Sequence, residues 1–250
     1  MEYLTSRKNE IVRELRALGS DGALRRERRV FLCDGEKLLE EALSHGAELD
    51  TVLWAEEVRR AVPCRRQYLA PSSLLDYISP MKSAAGVLFT VRFSPEPGDV
   101  PPGRTLVLER IQDPGNLGTI LRTANALGVE TVIFTGSCAD VYSPKAVRAS
   151  MGAVFRQRFR AMDAPALRNY LNRFGMRLYG AALSPAAEDL RRVSLQSAAV
   201  AVGSEGQGLS PALRSLCDGE LIIPMKGDCE SLNAAIAAAI IMWELTRETL

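Results

Sequence analysis

The sequence predicts an α/β protein in two parts, and three observations carry that prediction. A proline- and glycine-rich stretch at 94–103 divides the chain. Before it, short β-rich runs alternate with helical ones. After it, strand, helix and strand follow one another with short connections, the pattern of a parallel sheet.

In the first part, Ile11, Leu15 and Leu18 recur at helical spacing and predict a helix over 5–18, with Gly19 as its stop. Arg25, Arg26, Arg28 and Arg29 form a basic cluster. Val30-Phe31-Leu32-Cys33 reads as a strand running into the turn signal Asp34-Gly35. Leu38, Leu39, Ala42 and Leu43 share one face of a helix over Glu36–Ser44, which Gly46 closes. Short strands are expected at 51–54 and 67–69. Ser72 is placed to cap a helix reaching Ile78, and 86–93 is a β-rich run.

The stretch SPEPGDVPPG at 94–103 holds four prolines and two glycines. Proline removes backbone donors and disfavours helix and central strand, so this segment is a linker. The domains expected are therefore 1–93 and 104–250. In the second, Thr105–Glu109 reads as a buried strand, 117–127 as a helix ended by Gly128, and 130–134 as the next strand. Helices near 143–150 and 166–174, strands at 177–182, Ala198–Val202 and 221–223, and a last helix over 232–248 continue the alternation.

Composition narrows the chemistry. The 250 residues are 47% hydrophobic and 24% charged, which suits a globular core, and the net charge of +1 gives no global field. Any basic surface must be local. The stretch 143–173 carries seven basic residues and one acidic residue, either a solvated face or a phosphate-binding stripe. Five scattered cysteines with no C-x-x-C pair argue against a disulfide framework or a zinc site, and for a reducing compartment. The one histidine, His45, excludes a Ser-His-Asp triad and a histidine-based metal site, and no metal is expected. The chemistry must then run on Arg, Glu, Asn, Ser, Lys or a cofactor. The charged N-terminus MEYLTSRKNE has no apolar signal region. The most apolar stretch, of about 12 residues, falls short of the ~18–20 that cross a bilayer. A cytoplasmic protein is expected.

Three segments carry the chemistry. Asp113-Pro-Gly-Asn-Leu-Gly-Thr-Ile-Leu-Arg-Thr-Ala follows a strand; Asn116 is placed to cap the helix, and Arg122 lies two turns in. Val202-Gly-Ser-Glu-Gly-Gln-Gly-Leu has three glycines in six residues, which let backbone approach a ligand closely. It is neither a Walker loop nor G-x-G-x-x-G, and Glu205 would repel a phosphate, so a cationic or neutral ligand or an arginine partner suits it better. Ile222-Ile-Pro-Met-Lys-Gly-Asp-Cys-Glu-Ser-Leu-Asn leads into an alanine-rich helix that Ser231 is placed to cap. That helix start exposes free N–H groups.

In this order, each at a strand end, the three segments resemble the SpoU/TrmH family of RNA ribose 2′-O-methyltransferases in the SPOUT superfamily. The matching runs are N-L-G-T-I-L-R at 116–122, V-G-S-E-G-Q-G-L at 202–209 and I-P-M-K-G-D-C-E-S-L-N at 223–233. More weakly, F-L-C-D-G-E-K-L-L-E-E-A-L at 31–43 and G-V-L-F-T-V at 86–91 are similar to the substrate-binding domain common in that family.

The resemblance implies a C-terminal α/β domain with a trefoil knot and a smaller N-terminal RNA-binding α/β domain of the L30e-like type. It implies S-adenosylmethionine as cofactor, lined by Val202, Gly203, Ile223, Met225, Ser231 and Leu232. It gives Arg122, Asn116, Glu205 and Asn233 the catalytic positions. Arginine holds its proton too firmly for an easy general base, so Arg122 is expected to bind the neighbouring phosphate and stabilise the forming alkoxide. Glu205 would orient it, and Asn116 and Asn233 would hold the ribose or the arginine. A homodimer is implied, with ribosomal RNA favoured over tRNA as substrate. A non-catalytic RNA-binding protein of the same fold is the rival from another class. A nicotinamide enzyme lacks its glycine fingerprint here.

Overall fold

Apolar strands and capped helices assemble into two α/β units, 1–95 with 140–155 and 96–139 with 156–250. The structure is a computed structural model and describes residues 2–81, 84–94, 98, 101–204, 206–226 and 231–247.

The first unit begins with β1 (Glu2–Tyr3) and α1 (Glu10–Ser20). Asn9 caps α1, its side chain accepting from the Ile11 amide at 2.9 Å, and Val12, Leu15 and Leu18 form the buried stripe. The helix starts later than the spacing predicts because of that cap, and it runs through Gly19 to Ser20. Asp21 then accepts from the Ala23 and Leu24 amides and starts α2 (Gly22–Arg28), so the basic cluster is helical. β2 (Val30–Asp34), α3 (Glu36–Ser44), β3 (Leu49–Ala55), β4 (Cys64–Ala70), α4 (Ser72–Ile78) and β5 (Val87–Arg92) follow. Ser72 opens α4 without capping it; Pro71 holds that position and no side chain caps the helix. The five strands form a mixed sheet in the order β1-β4-β3-β5-β2, with β5 antiparallel to β2 and β3.

The second unit runs β6 (Thr105–Glu109), α5 (Pro114–Ala126) and β7 (Thr131–Thr135). The chain then makes the excursion 140–155, with α6 (Pro144–Ser150), which belongs with the first unit although the sequence reading counts it with the second domain. The reason is local. Tyr142 stacks on Phe93 at 3.9 Å and meets Phe31 at 4.7 Å. Asp140 accepts from Arg25, whose side chain turns inward and is 4% exposed.

β8 (Phe159–Ala161), α7 (Ala164–Arg173), β9 (Arg177–Ala181), β10 (Glu188–Asp189), β11 (Ala198–Val202), α8 (Pro211–Arg214), β12 (Gly219–Ile222) and α9 (Ala234–Thr246) complete the second unit. Its seven strands are all parallel, in the order β10-β12-β9-β11-β6-β7-β8. β6, β7 and β11 are buried along their whole length, as strands covered on both faces must be. The strands β1, β8 and β10 and the helix α8 are too short to show a period and are not expected from the sequence.

Two caps differ from expectation. Asp113, not Asn116, caps α5, accepting from the Asn116 amide at 2.8 Å. Asn233, not Ser231, caps α9, accepting from the Ala235 and Ile236 amides. In both helices the capping side chain sits where it closes on N–H groups two or three residues ahead. The basic run 143–173 is divided between the two units, and two of its arginines are held locally: Arg156 by Asn125 and Arg168 by both oxygens of Asp218. No helix among the described residues is long and apolar enough to cross a membrane.

Arg25 depends on its partners because a buried guanidinium without a carboxylate is costly. It donates to Asp140 Oδ2 at 2.9 and 2.7 Å and to the Leu18 carbonyl at 2.6 Å. Asp140→Ala is expected to destabilise the first unit by about 3 kcal/mol, read by urea titration of the buried Trp54 fluorescence. A change within about 0.5 kcal/mol would show that Arg25 re-solvates freely.

Candidate active site

In the parallel sheet, β6 and β11 lie side by side, yet the chain builds outward from them in opposite directions. β7 and β8 extend one edge; β9, β12 and β10 extend the other. Such a reversal opens a crevice at the carboxyl ends of the strands, where open α/β sheets place ligands. The glycine-rich turn 203–209 leaves β11 at this end.

The turn folds back on itself. A Cβ on Gly203 would lie 2.1 Å from the Gly208 carbonyl carbon and 2.2 Å from its oxygen, so only glycine fits there. The Gly208 amide donates to the Ser204 carbonyl at 2.9 Å, and Gly208 takes the left-handed conformation at φ 61°. The end of β6 pins the turn from below. Glu109 is 5% exposed; its carboxylate accepts from the Ser210 amide at 2.6 Å and from the Ser210 hydroxyl at 2.5 Å. Arg110, in the left-handed region at φ 55°, donates to Gln207 Oε1 and to the Gly208 carbonyl, both at 3.3 Å. Sequence reading missed both residues. The available signal was a charged pair at the carboxyl end of a buried parallel strand, but nothing in the sequence links 109 to 210.

Beside the turn lies a cavity of about 470 Å³ at the carboxyl ends of β9, β11 and β12. Val202, Gly203, Ile223, Met225, Ser231 and Leu232, all six of the cofactor positions expected from sequence, line it. Its cation, Arg214, is occupied by both carboxylate oxygens of Glu220. What the wall offers a ligand is mainly apolar side chain and backbone, with the polar side chains of Ser204, Gln207 and Ser231.

Of the positions expected to be catalytic, the described ones, Asn116, Arg122 and Asn233, are not among the lining residues. Asn233 Nδ2 donates to Asn116 Oδ1 at 3.3 Å, joining the start of α9 to the first turn of α5. Asn233 is next in the chain to Leu232 and Ala234, which do line the cavity. Arg122 is exposed on α5, about 9 Å of helix rise beyond Asn116. Among the described residues its guanidinium makes no hydrogen bond or ion pair. Glu205 lies outside the described residues. The structure thus brings Asn116 and Asn233 into contact and gathers the six lining residues, while Arg122 points to solvent.

The four described thiols are not poised as nucleophiles. The four described cysteines are free. Burial raises the pKa of Cys33, Cys64 and Cys138, and burial with Asp218 and Glu220 nearby pushes Cys217 up to about 11. Among the described residues no cluster of three or more His, Cys, Asp or Glu side chains is placed to hold a metal.

The model of the SpoU rRNA Methylase family matches residues 103–243. The 23S rRNA (guanosine(2553)-2′-O)-methyltransferase RlmP of Bacillus subtilis is 32% identical over 98% of this chain and 99% of its own. The crystal structure of an AdoMet-bound rRNA methyltransferase from Sinorhizobium meliloti superimposes with a TM-score of 0.89 at 29% identity, covering 100% of this chain and 98% of that one. The SpoU methyltransferase AviRb from Streptomyces viridochromogenes, in complex with AdoMet, does so at 0.86 and 29% identity, covering 96% and 98%. With the family model spanning more than half the sequence, the chain belongs to the SpoU rRNA methylase family.

Proposed function

We propose that this protein transfers a methyl group from S-adenosylmethionine to a ribose 2′-hydroxyl of 23S ribosomal RNA. The observation that carries the proposal is the gathering of six lining positions, scattered over 202–232, around one cavity at the carboxyl ends of β9, β11 and β12, beside the switch point of the sheet. The wall suits the cofactor. Gly203 and Gly208 bring bare backbone to the surface, and Val202, Ile223, Met225 and Leu232 give apolar contact for an adenosine. The cofactor supplies an activated methyl on a sulfonium; the protein supplies position and electrostatics. Relatives spanning nearly the full chain and named for 23S rRNA support ribosomal RNA over tRNA.

Arg122 is free to meet an incoming RNA. It binds the phosphate beside the target ribose and stabilises the alkoxide as the 2′-hydroxyl proton leaves to phosphate or water. Asn116 and Asn233 hold the ribose, their mutual hydrogen bond keeping both amides fixed. Glu205 orients Arg122 in this reading, a role taken from the sequence pattern alone. The family pattern also supports a trefoil knot made by the C-terminal chain, an L30e-like N-terminal domain that holds RNA, and work in the cytoplasm. A homodimer is supported by α9, where Ile236, Ile240 and Trp243 recur at helical spacing and are 54%, 37% and 54% exposed. A second copy would cover that stripe.

The direct test is transfer of labelled methyl from S-adenosylmethionine to a 23S rRNA transcript, followed by mapping of the modified nucleotide. No incorporation into any ribosomal or transfer RNA would end the proposal.

Three variants separate the roles. Arg122→Ala is expected to cut methyl transfer at least about 100-fold with cofactor affinity nearly intact by calorimetry; equal loss of both would remove the division of labour. Gly203→Ala drives a methyl group into the Gly208 backbone, and cofactor affinity should fall by about tenfold or more. Retained affinity there would mean that the turn does not hold the cofactor. Glu109→Gln keeps the shape but weakens the charge-assisted bonds to Ser210. Its cofactor Kd should rise several-fold with kcat at saturating cofactor preserved, whereas an unchanged Kd would deny the staple any part in binding.

A further inference from the structure

The first unit contains a polar cavity of about 370 Å³ between α1 and one end of its sheet. Its floor is a β-bulge. The register of β3 against β5 shifts between Leu49 and Thr51, leaving Asp50 as the extra residue. Asp50 is 6% exposed. Its Oδ2 accepts from Arg66 at 2.6 Å and from the Thr51 hydroxyl at 3.0 Å, and its Oδ1 accepts from Arg92 at 3.4 Å. One buried carboxylate thus contacts two guanidinium groups from the strands on either side, and Arg92 also pairs with Glu48 at 2.9 Å.

The rim adds Arg28 and Arg65. Arg28 reaches Glu14 only at 3.8 Å, and Arg65 makes no ion pair among the described residues. Four arginines and two carboxylates line the cavity, a positive excess in a chain whose net charge is +1. A further sign of a missing acceptor lies at Arg66, whose Nε is buried with no hydrogen-bond partner. Asp50 is not competing for that role, since its oxygens are turned to Arg66, Arg92 and Thr51. Burial alone would raise its pKa, but the hydrogen bonds from Arg66 and Thr51 outweigh this and leave it lowered, so it stays charged and keeps the two arginines in place.

We infer that this cavity binds the phosphodiester backbone of the RNA substrate, with Arg65 and Arg28 meeting phosphate oxygens directly and the Asp50 bulge presenting Arg66 and Arg92 beside them. Arginine forks match phosphate oxygens in pairs, and contacts of this kind position RNA without reading its sequence. The site deepens the proposed function and rests on it for the choice of RNA as ligand. It lies wholly within the first unit and uses Arg28 of the basic cluster.

The test uses the full chain and a 23S rRNA transcript as probe. Arg28→Ala with Arg65→Ala removes the two rim arginines and leaves the Asp50 network intact. RNA Kd by filter binding should rise about tenfold, and the slope of log K against log salt should flatten by about two. Cofactor Kd, and kcat at saturating RNA, should hold while KM for RNA rises. Arg13→Glu, exposed on α1 and outside the cavity lining, serves as the control for general charge. An RNA Kd and salt slope matching the unaltered protein would overturn the inference, and so would an equal loss in the control. Circular dichroism checks folding, and Arg65→Ala alone, with an expected loss of about threefold, stands in if the double variant is unfolded. A protein that binds the transcript through these arginines yet transfers no methyl would leave this site standing while the proposed function fell.

Discussion

The approach of Gly203 to Gly208 is the constraint on which the catalytic unit depends. With backbone atoms 2.1 Å from where a Cβ would be, the turn after β11 has one available shape, and that shape forms one wall of the cavity. The contact would open without something beneath it. Glu109 provides that support: a nearly buried carboxylate whose desolvation is offset by two short bonds from Ser210. Hydrogen bonds to a charged group contribute about 1.5–3 kcal/mol each, which is the scale needed to hold a strained turn closed. The same serine hydroxyl accepts from the Leu213 amide at 3.1 Å and caps α8, so strand end, turn and helix share one hub.

The second wall comes from close packing. Ala234, Ala235 and Ala238 are buried on α9, and small side chains let that helix press on α5 and β11. Such packing brings the start of α9 against the first turn of α5 and makes the Asn233–Asn116 bond possible. The apolar cavity and the polar amide pair are therefore adjacent for one reason, the seating of α9. Bulky residues on its inner face would separate them, whatever happened to the asparagines.

Much of this was legible in the sequence, and the parts that were not share a cause. The parallel sheet could be read because strands such as Thr105–Glu109 and Ala198–Val202 are continuous apolar runs bounded by turn residues. The lining residues were readable only through the family resemblance, since spacing alone cannot bring 202 near 232. The caps of α5 and α9 fall to Asp113 and Asn233 rather than Asn116 and Ser231 because several acceptors sit within three residues of each helix start and local geometry chooses among them, whereas α4 starts from Pro71 with no side-chain cap. Glu109 and Arg110 left only a charged pair at a strand end, and Asp50 left no local trace. Each acts through a partner distant in sequence or through a one-residue bulge, and a period of two or 3.6 registers neither.

The arginines show how a chain of net charge +1 can present positive surface without a global field. The basic run 143–173 looked like the obvious stripe, yet Asp218 neutralises Arg168, and Asn125 ties Arg156 down without cancelling its charge. Arg25, from the other basic cluster, is consumed by Asp140. Density of arginine in sequence is thus a poor guide to charge available at the surface. What matters is the ratio of guanidinium groups to carboxylates within reach of one another. At Asp50 one carboxylate contacts both Arg66 and Arg92, and with Glu14 and Glu48 it still leaves Arg28, Arg65, Arg66 and Arg92 one positive charge in excess. A buried acid that orients two bases gives a phosphate a preorganised seat, which a solvated run of flexible arginines does not.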